Sequence, residues 1–115
     1  VLVEVAKRLA ANLRTGDLLA RIGGEEFLIA LPAVSLTVAQ SIAERLCLAM
    51  QERPVRIADV GALRITVSIG LAVSAALQPC EIHSTCTEIV KRADHALMQA
   101  KSSGRNQVTI SQTAA

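Results

Sequence analysis

Apolar residues recur at helical spacing over residues 1–14, where Leu2, Val5, Ala6, Leu9 and Leu13 share one face and Glu4, Lys7, Arg8 and Asn12 fall elsewhere. Gly16 is placed to stop such a helix. The pattern then shortens. Residues 18–22 and 27–31 read as two strands joined by a tight turn, with Pro32 ending the second. Helical spacing returns over residues 36–51, with Ala39, Ile42, Ala43, Leu46 and Met50 on one face and Ser35 or Thr37 as cap. Residues 55–59 and 64–74 read as β, turning through Val60-Gly61-Ala62, and Ile65, Val67 and Ile69 alternate with Thr66 and Ser68. Residues 78–84 read as a loop. Thr85-Cys86-Thr87-Glu88 has capping-box spacing and opens a helix through Lys101, with Ile89, Ala93, Ala96, Leu97 and Ala100 facing inward and Gly104 ending it. Residues 107–110 form a last short strand. The order α, β-hairpin, α, β-hairpin, α, β predicts an α+β fold, an antiparallel sheet flanked by helices. The chain opens abruptly on an uncapped helix, which reads as a truncation boundary.

Composition narrows the functional classes. A length of 115 residues suits one domain, and 51% of them are hydrophobic, enough to bury a core. Phe27 is the only aromatic residue, so the stacking platforms of single-strand nucleic-acid binders are absent. A net charge of +2 gives no footprint for nucleic acid or a membrane surface. Cys47, Cys80 and Cys86 are odd in number and form no C-x-x-C pair, which fits a reduced, cytoplasmic setting. The longest uncharged run, residues 65–80, is broken by Gly70 and Pro79 and falls short of the roughly 20 apolar residues a membrane helix needs.

Chemistry concentrates in the first turn, within Arg21-Ile22-Gly23-Gly24-Glu25-Glu26-Phe27-Leu28-Ile29-Ala30-Leu31-Pro32. Glycine at a bend permits φ > 0 and lets a ligand approach the backbone. Two adjacent carboxylates there suit a hard divalent cation beside a phosphate. Lys101 and Arg105, at a helix end, could bind phosphates or simply complement the helix dipole. Arg14 and Asp17 offer an arginine fork and a carboxylate that suit guanine, or else a plain helix end leading into a strand. Cys80, His83 and Cys86 form a C-x-x-H-x-x-C run without a second ligand pair, and read as an incidental loop feature. His95 reads as a surface residue.

The stretch Arg21-Ile22-Gly23-Gly24-Glu25-Glu26-Phe27 resembles the signature loop of GGDEF domains, the diguanylate cyclases, in its Glu-for-Asp form. Four further segments fit. Arg14-Thr15-Gly16-Asp17, with five residues between Asp17 and Gly23, resembles the family's R-x-x-D product-inhibition site. Thr66-Val67-Ser68-Ile69-Gly70 resembles the strand after the second hairpin. Arg92-Ala93-Asp94-His95-Ala96-Leu97 and Ala100-Lys101-Ser102-Ser103-Gly104-Arg105-Asn106 resemble the last helix and its exit. Met98 stands where the family often has Tyr, and is expected to fill the same apolar space.

The resemblance covers essentially the whole chain. It implies a five-stranded antiparallel sheet with flanking helices, the ferredoxin-like palm of nucleotide cyclases. It also implies condensation of two GTP into cyclic di-GMP across a homodimer, with Mg²⁺ or Mn²⁺. Carried onto this chain, Gly23 and Gly24 let GTP approach, Glu26 is a metal ligand, and Glu25 binds metal or helps take the 3′-proton. Lys101 and Arg105 contact the β- and γ-phosphates. Arg14, Asp17 and Arg45 bind the inhibitory product. The family places a strand and a helix before the point where this chain opens, and that segment carries a metal-binding Asp and the guanine-reading Asn and Asp. Residues 1–115 are therefore expected to be a partial domain with a disordered tail at 112–115, and incompetent as an isolated cyclase. A non-catalytic cyclic di-GMP-binding module acting through Arg14, Asp17 and Arg45 is the alternative.

Overall fold

The computed structural model describes residues 1–74 and 82–111. Residues 78–81 of the expected loop, Cys80 of the C-x-x-H-x-x-C run and the expected tail at 112–115 lie outside them. The chain forms two compact units, residues 1–66 and 67–115. Among the described residues no helix is long and apolar enough to cross a membrane.

The first unit contains α1 (Leu2–Ala11), β1 (Leu18–Arg21), β2 (Phe27–Ala30), α2 (Leu36–Glu52), β3 (Val55–Ile57) and β4 (Gly61–Leu63). Helix α2 follows its pattern closely. Ala39, Ile42, Ala43, Leu46 and Met50 are buried as expected, joined by Cys47, and Ser35 caps the helix by accepting the Val38 N–H at 3.3 Å. Val5 and Leu9 of α1 and Val55 of β3 complete the buried apolar set of this unit. Burial pushes the Cys47 thiol up from its ordinary value, and nearby Glu44 adds to the effect.

Helix α1 ends earlier than its pattern suggests, at Ala11 with Asn12 as cap, so Gly16 stops a later turn and not the helix. One residue assigned to its polar face is buried. Arg8 is 9% exposed and donates to the carbonyls of Met50 at 3.2 Å, Arg53 at 2.5 Å and Pro54 at 3.2 Å, while its Nε meets Glu4 at 3.3 Å. One guanidinium thus ties α1 to the exit of α2. Arg8→Met keeps the apolar stem but orphans these carbonyls. It should cost about 2 kcal/mol or more, because hydrogen bonds to charged groups are the strong ones. A urea melt would check this, and an unchanged midpoint would refute the tie.

The second hairpin is tighter than the sequence suggested. Strand β4 takes in Gly61 and Ala62, pairs antiparallel with β3, and leaves residues 58–60 as the bend, with Asp59 at φ 68°. Residues 64–68 are not strand, although Ile65 and Val67 stay half-buried.

The second unit contains β5 (Ile69–Leu71), α3 (Ile82–Ser102) and β6 (Val108–Ile110). Helix α3 starts a turn before the expected capping box, so Ile82–Ser84, read as loop, are helical. Ala96 and Ala100 are buried. Met98 is 61% exposed, so it fills no apolar space here. Gly70 explains how β5 lies against α3. A Cβ there would sit 2.0 Å from the Ala93 carbonyl oxygen and 2.3 Å from the Leu97 nitrogen, so only glycine lets the two backbones meet. Strands β5 and β6 pair in parallel, unlike the hairpins, because a crossover helix separates them. The α+β class with flanking helices holds. In place of one five-stranded antiparallel sheet, the described strands form three pairs, two antiparallel and one parallel.

Candidate active site

Strands β1 and β2 run in antiparallel register from Leu18↔Ala30 to Arg21↔Phe27, leaving residues 22–26 as the bend. The Ile22 N–H closes it on the Glu26 carbonyl at 3.0 Å. Arg21 fastens its middle, with Nε donating to the Gly23 carbonyl at 3.1 Å and Nη2 to the Gly24 carbonyl at 2.6 Å. Neither glycine has a positive φ, contrary to the expectation from their place in a turn. A Cβ on Gly24 would meet nothing within 4 Å, and one on Gly23 would meet only Glu26, at 3.7 Å or more. The fold itself therefore makes little demand for glycine at either position. Glu25 is exposed and Glu26 half-buried, its Oε2 within 3.9 Å of that Gly23 Cβ position. Among the described residues no group of three or more His, Cys, Asp or Glu gathers as a metal cage.

Arg14, Asp17 and Arg45 all belong to the first unit, where Arg14 pairs with Asp17 and Arg45 reaches Asn12. Residues 14–17 form a turn closed by the Asp17 N–H on the Arg14 carbonyl at 3.1 Å, with Gly16 at φ 97° where such turns favour glycine. Arg14 therefore stands beyond the helix and not in its last turn. The Asp17 carboxylate accepts from the Arg14 backbone N–H at 2.8 Å, from Nε at 3.4 Å and from Nη2 at 3.2 Å. The Arg14 side chain, then its backbone N–H, hold the Asp17 carboxyl below the usual carboxylate range. Asp17 is closed off, at 1% side-chain exposure, while Arg14 is 51% exposed and also reaches the Pro32 carbonyl at 3.3 Å. Arg45, on α2, donates to the Asn12 carbonyl at 2.7 Å and remains exposed.

Lys101 and Arg105 sit at the end of α3 in the second unit. The Arg105 N–H bonds the Ala100 carbonyl at 3.0 Å, and Gly104 is left-handed at φ 119°, a Schellman ending. Arg105 and Asn106 continue in the left-handed region at φ 64° and 49°, where residues with a Cβ rarely go. Two side chains hold this bend. Ser68 Oγ accepts the Asn106 N–H at 3.1 Å, and Gln107 Nε2 donates to the carbonyls of Ser103 at 3.0 Å and Arg105 at 3.2 Å. Arg105 is exposed and Lys101 half-buried. The candidate residues divide between the units: the Gly-Gly-Glu-Glu loop, the Arg14–Asp17 pair and Arg45 in the first, Lys101 and Arg105 in the second.

A family profile described as diguanylate cyclase, GGDEF domain, matches residues 1–107. The chain belongs to the GGDEF family. Its GGDEF relatives include the response regulator PleD of Caulobacter vibrioides, 41% identical over 109 residues that make up 94% of this chain and 23% of PleD. Diguanylate cyclase SiaD of Pseudomonas aeruginosa, crystallised with its activator SiaC, matches with a TM-score of 0.82 at 37% identity over 95% of this chain and 39% of that one. The GGDEF domain of DgcB from Caulobacter crescentus, in complex with c-di-GMP, matches with a TM-score of 0.80 at 30% identity, over 95% of this chain and 61% of that one. The chain spans about a quarter of the length of the curated relatives named first, 23% of PleD and 28% of a diguanylate cyclase from Treponema denticola. GGDEF cyclases work with a divalent metal.

Three residues around the GGDEF loop and exit had no role in the sequence reading: Arg21, Ser68 and Gln107. Arg21 left a signal, a cation two positions before Gly-Gly. Ser68 and Gln107 left none, because their partners are backbone groups of a bend whose shape only the folded chain defines. His95 is exposed, with Gln99 Nε2 at 3.4 Å from its ring, and fits the surface reading. Cys86 is an exposed free thiol.

Proposed function

We propose that this GGDEF chain is the catalytic part of a diguanylate cyclase, which condenses two GTP into cyclic di-GMP. Each 3′-hydroxyl attacks the α-phosphorus of the other GTP, and the bond to pyrophosphate breaks. The observation that carries the reading is the loop at residues 22–26, with both glycines and both carboxylates intact on a closed hairpin. The glycines meet no demand of the fold, so the demand comes from what approaches them. Glu25 and Glu26 supply hard oxygen donors, and two carboxylates fit Mg²⁺ or Mn²⁺. Mg²⁺ takes few protein ligands and completes its shell from water and phosphate. A divalent cation held there would offset charge developing on the α-phosphate and favour ionisation of the hydroxyl. We assign Glu26 as its ligand and the more exposed Glu25 to the side of the reacting hydroxyl. Lys101 and Arg105 would draw the β- and γ-phosphates as charge-assisted donors. The left-handed backbone at Arg105 supports this, since strained residues cluster where function demands them. Two GTP on two chains make a homodimer the working form.

The product is the expected ligand of Arg14, Asp17 and Arg45. Arg14, in the turn at residues 14–17, and Arg45, bonded to the Asn12 carbonyl, are both exposed. Asp17, already engaged by Arg14, serves this reading by holding that arginine in place. The direct test is to incubate the natural full-length protein with GTP and Mg²⁺ and to look for cyclic di-GMP. A folded, dimeric protein that forms none would sink the proposal. Gly24→Ala sharpens it. The melting temperature should hold or rise slightly, since the new methyl has open space and the substitution restrains the unfolded chain by about 0.4–1 kcal/mol. Turnover should fall on the order of 100-fold, because displacing the reacting groups by an ångström is that costly. Full turnover by this variant would show that the glycine serves no ligand.

A further inference from the structure

We infer that Arg21 is a positioning residue that converts the candidate active loop into an anion-facing pair of backbone donors. The inference rests on the cyclase reading above and adds a role to a residue outside its assigned site. The guanidinium of Arg21 holds two consecutive carbonyls, those of Gly23 and Gly24, at 3.1 and 2.6 Å. No peptide bond among the described residues is cis. In a trans peptide the carbonyl and the following N–H point to opposite sides. Fixing the Gly23 and Gly24 carbonyls toward Arg21 therefore turns the N–H groups of Gly24 and Glu25 away from it. Residues 23–25 are exposed, and a Cβ on Gly24 would meet nothing within 4 Å, so neither glycine adds a side chain to cover these two donors. A pair of adjacent N–H groups held by the protein's own hydrogen bonds is what a developing charge on a phosphate oxygen needs, because it requires no reorganisation when the charge appears.

The fork geometry of arginine matters here. A lysine is a point charge on a flexible stem, and cannot span two neighbouring carbonyls as a planar guanidinium does. Arg21 is exposed and its partners are local, so replacing it spares the β1–β2 ladder that sets the rest of the hairpin.

The test uses the full-length protein, labelled with ¹⁵N-glycine and ¹⁵N-glutamate, as wild type, Arg21→Gln and Arg21→Lys. In the ligand-free protein both substitutions should move the Gly24 and Glu25 amide resonances. Titrating wild type with a non-hydrolysable GTP analogue should shift those same two resonances. Turnover in both variants should fall on the order of 100-fold, carried by kcat more than by KM. Lysine should restore little. If turnover falls while the ligand-free amides stay in place, Arg21 acts on the substrate directly and the positioning role is overturned. It is equally overturned if lysine restores full turnover, or if the analogue binds wild type without moving the two amides. A wild type that makes no cyclic di-GMP would instead fail the cyclase reading, and the ligand-free resonances would still decide whether Arg21 sets the bend.

Discussion

Glu26→Gln should cut cyclic di-GMP formation severely without disturbing the hairpin that carries it. The substitution keeps the side chain's size and leaves the backbone bond from Ile22 to Glu26 untouched. What it removes is the charge. An amide oxygen is a poor partner for a hard dication compared with a carboxylate. The expected loss is about 10³-fold in turnover, the scale seen when a group that stabilises transition-state charge is removed. Product formation followed by chromatography at saturating GTP and Mg²⁺ would measure it. Calorimetry of GTP binding, with and without Mg²⁺, would separate lost metal from lost nucleotide. Turnover within a few-fold of wild type would mean that Glu26 is not the metal ligand. The assignment would then pass to Glu25.

Gly70→Ala should cost more stability than alanine at any other glycine of this chain. The methyl has nowhere to go. The atoms in its way are the Ala93 oxygen, the Leu97 nitrogen and the Leu97 Cα, at 2.0, 2.3 and 2.8 Å, and all are backbone atoms that cannot rotate aside. Strand β5 would have to lift from α3, carrying its parallel partner β6 with it. The cost is expected at about 3 kcal/mol, the upper range for overpacking a tight site. A guanidinium melt followed by circular dichroism would report it, and a midpoint shift under a third of that size would contradict the contact. The contrast with Gly24 is instructive. The same substitution is harmless to folding at Gly24 and severe at Gly70, while turnover is lost directly at the first and only through unfolding at the second.

Much of this was legible in the chain, because periodicity reports burial. The apolar face of α2 and its Ser35 cap are read from spacing alone, and the β1–β2 hairpin is read from two short runs around Gly-Gly. The misreadings have physical causes. Thr85…Glu88 has the spacing of a capping box, but spacing alone cannot tell a helix start from a position one turn inside. Gly61 and Ala62 carry little strand preference, yet the ladder opposite β3 recruits them. Residues 64–68 alternate like a strand without forming one. Arg8 was read as a polar-face residue because its partners are carbonyls more than forty positions away. The candidate site divides along the same line. Side chains with chemistry, such as Glu25, Glu26, Lys101 and Arg105, stand out in sequence. Ser68 and Gln107, which hold a backbone bend, do not, and Arg21 shows only as a cation near Gly-Gly.

The register of β1 and β2 limits how this loop can change over generations. Arg21 faces Phe27 across the ladder, and five residues bridge the gap. Shortening the bridge strains the Ile22–Glu26 closure or slides one strand past the other, whereas an added residue can bulge outward at the exposed tip. A slide of β2 by one residue would turn Leu28, Ile29 and their neighbours to the opposite face. Substitution is the cheap route and deletion the costly one. Variation at the loop should therefore favour exchanged letters over lost ones, and a glutamate at position 25 in place of the family's aspartate is one instance.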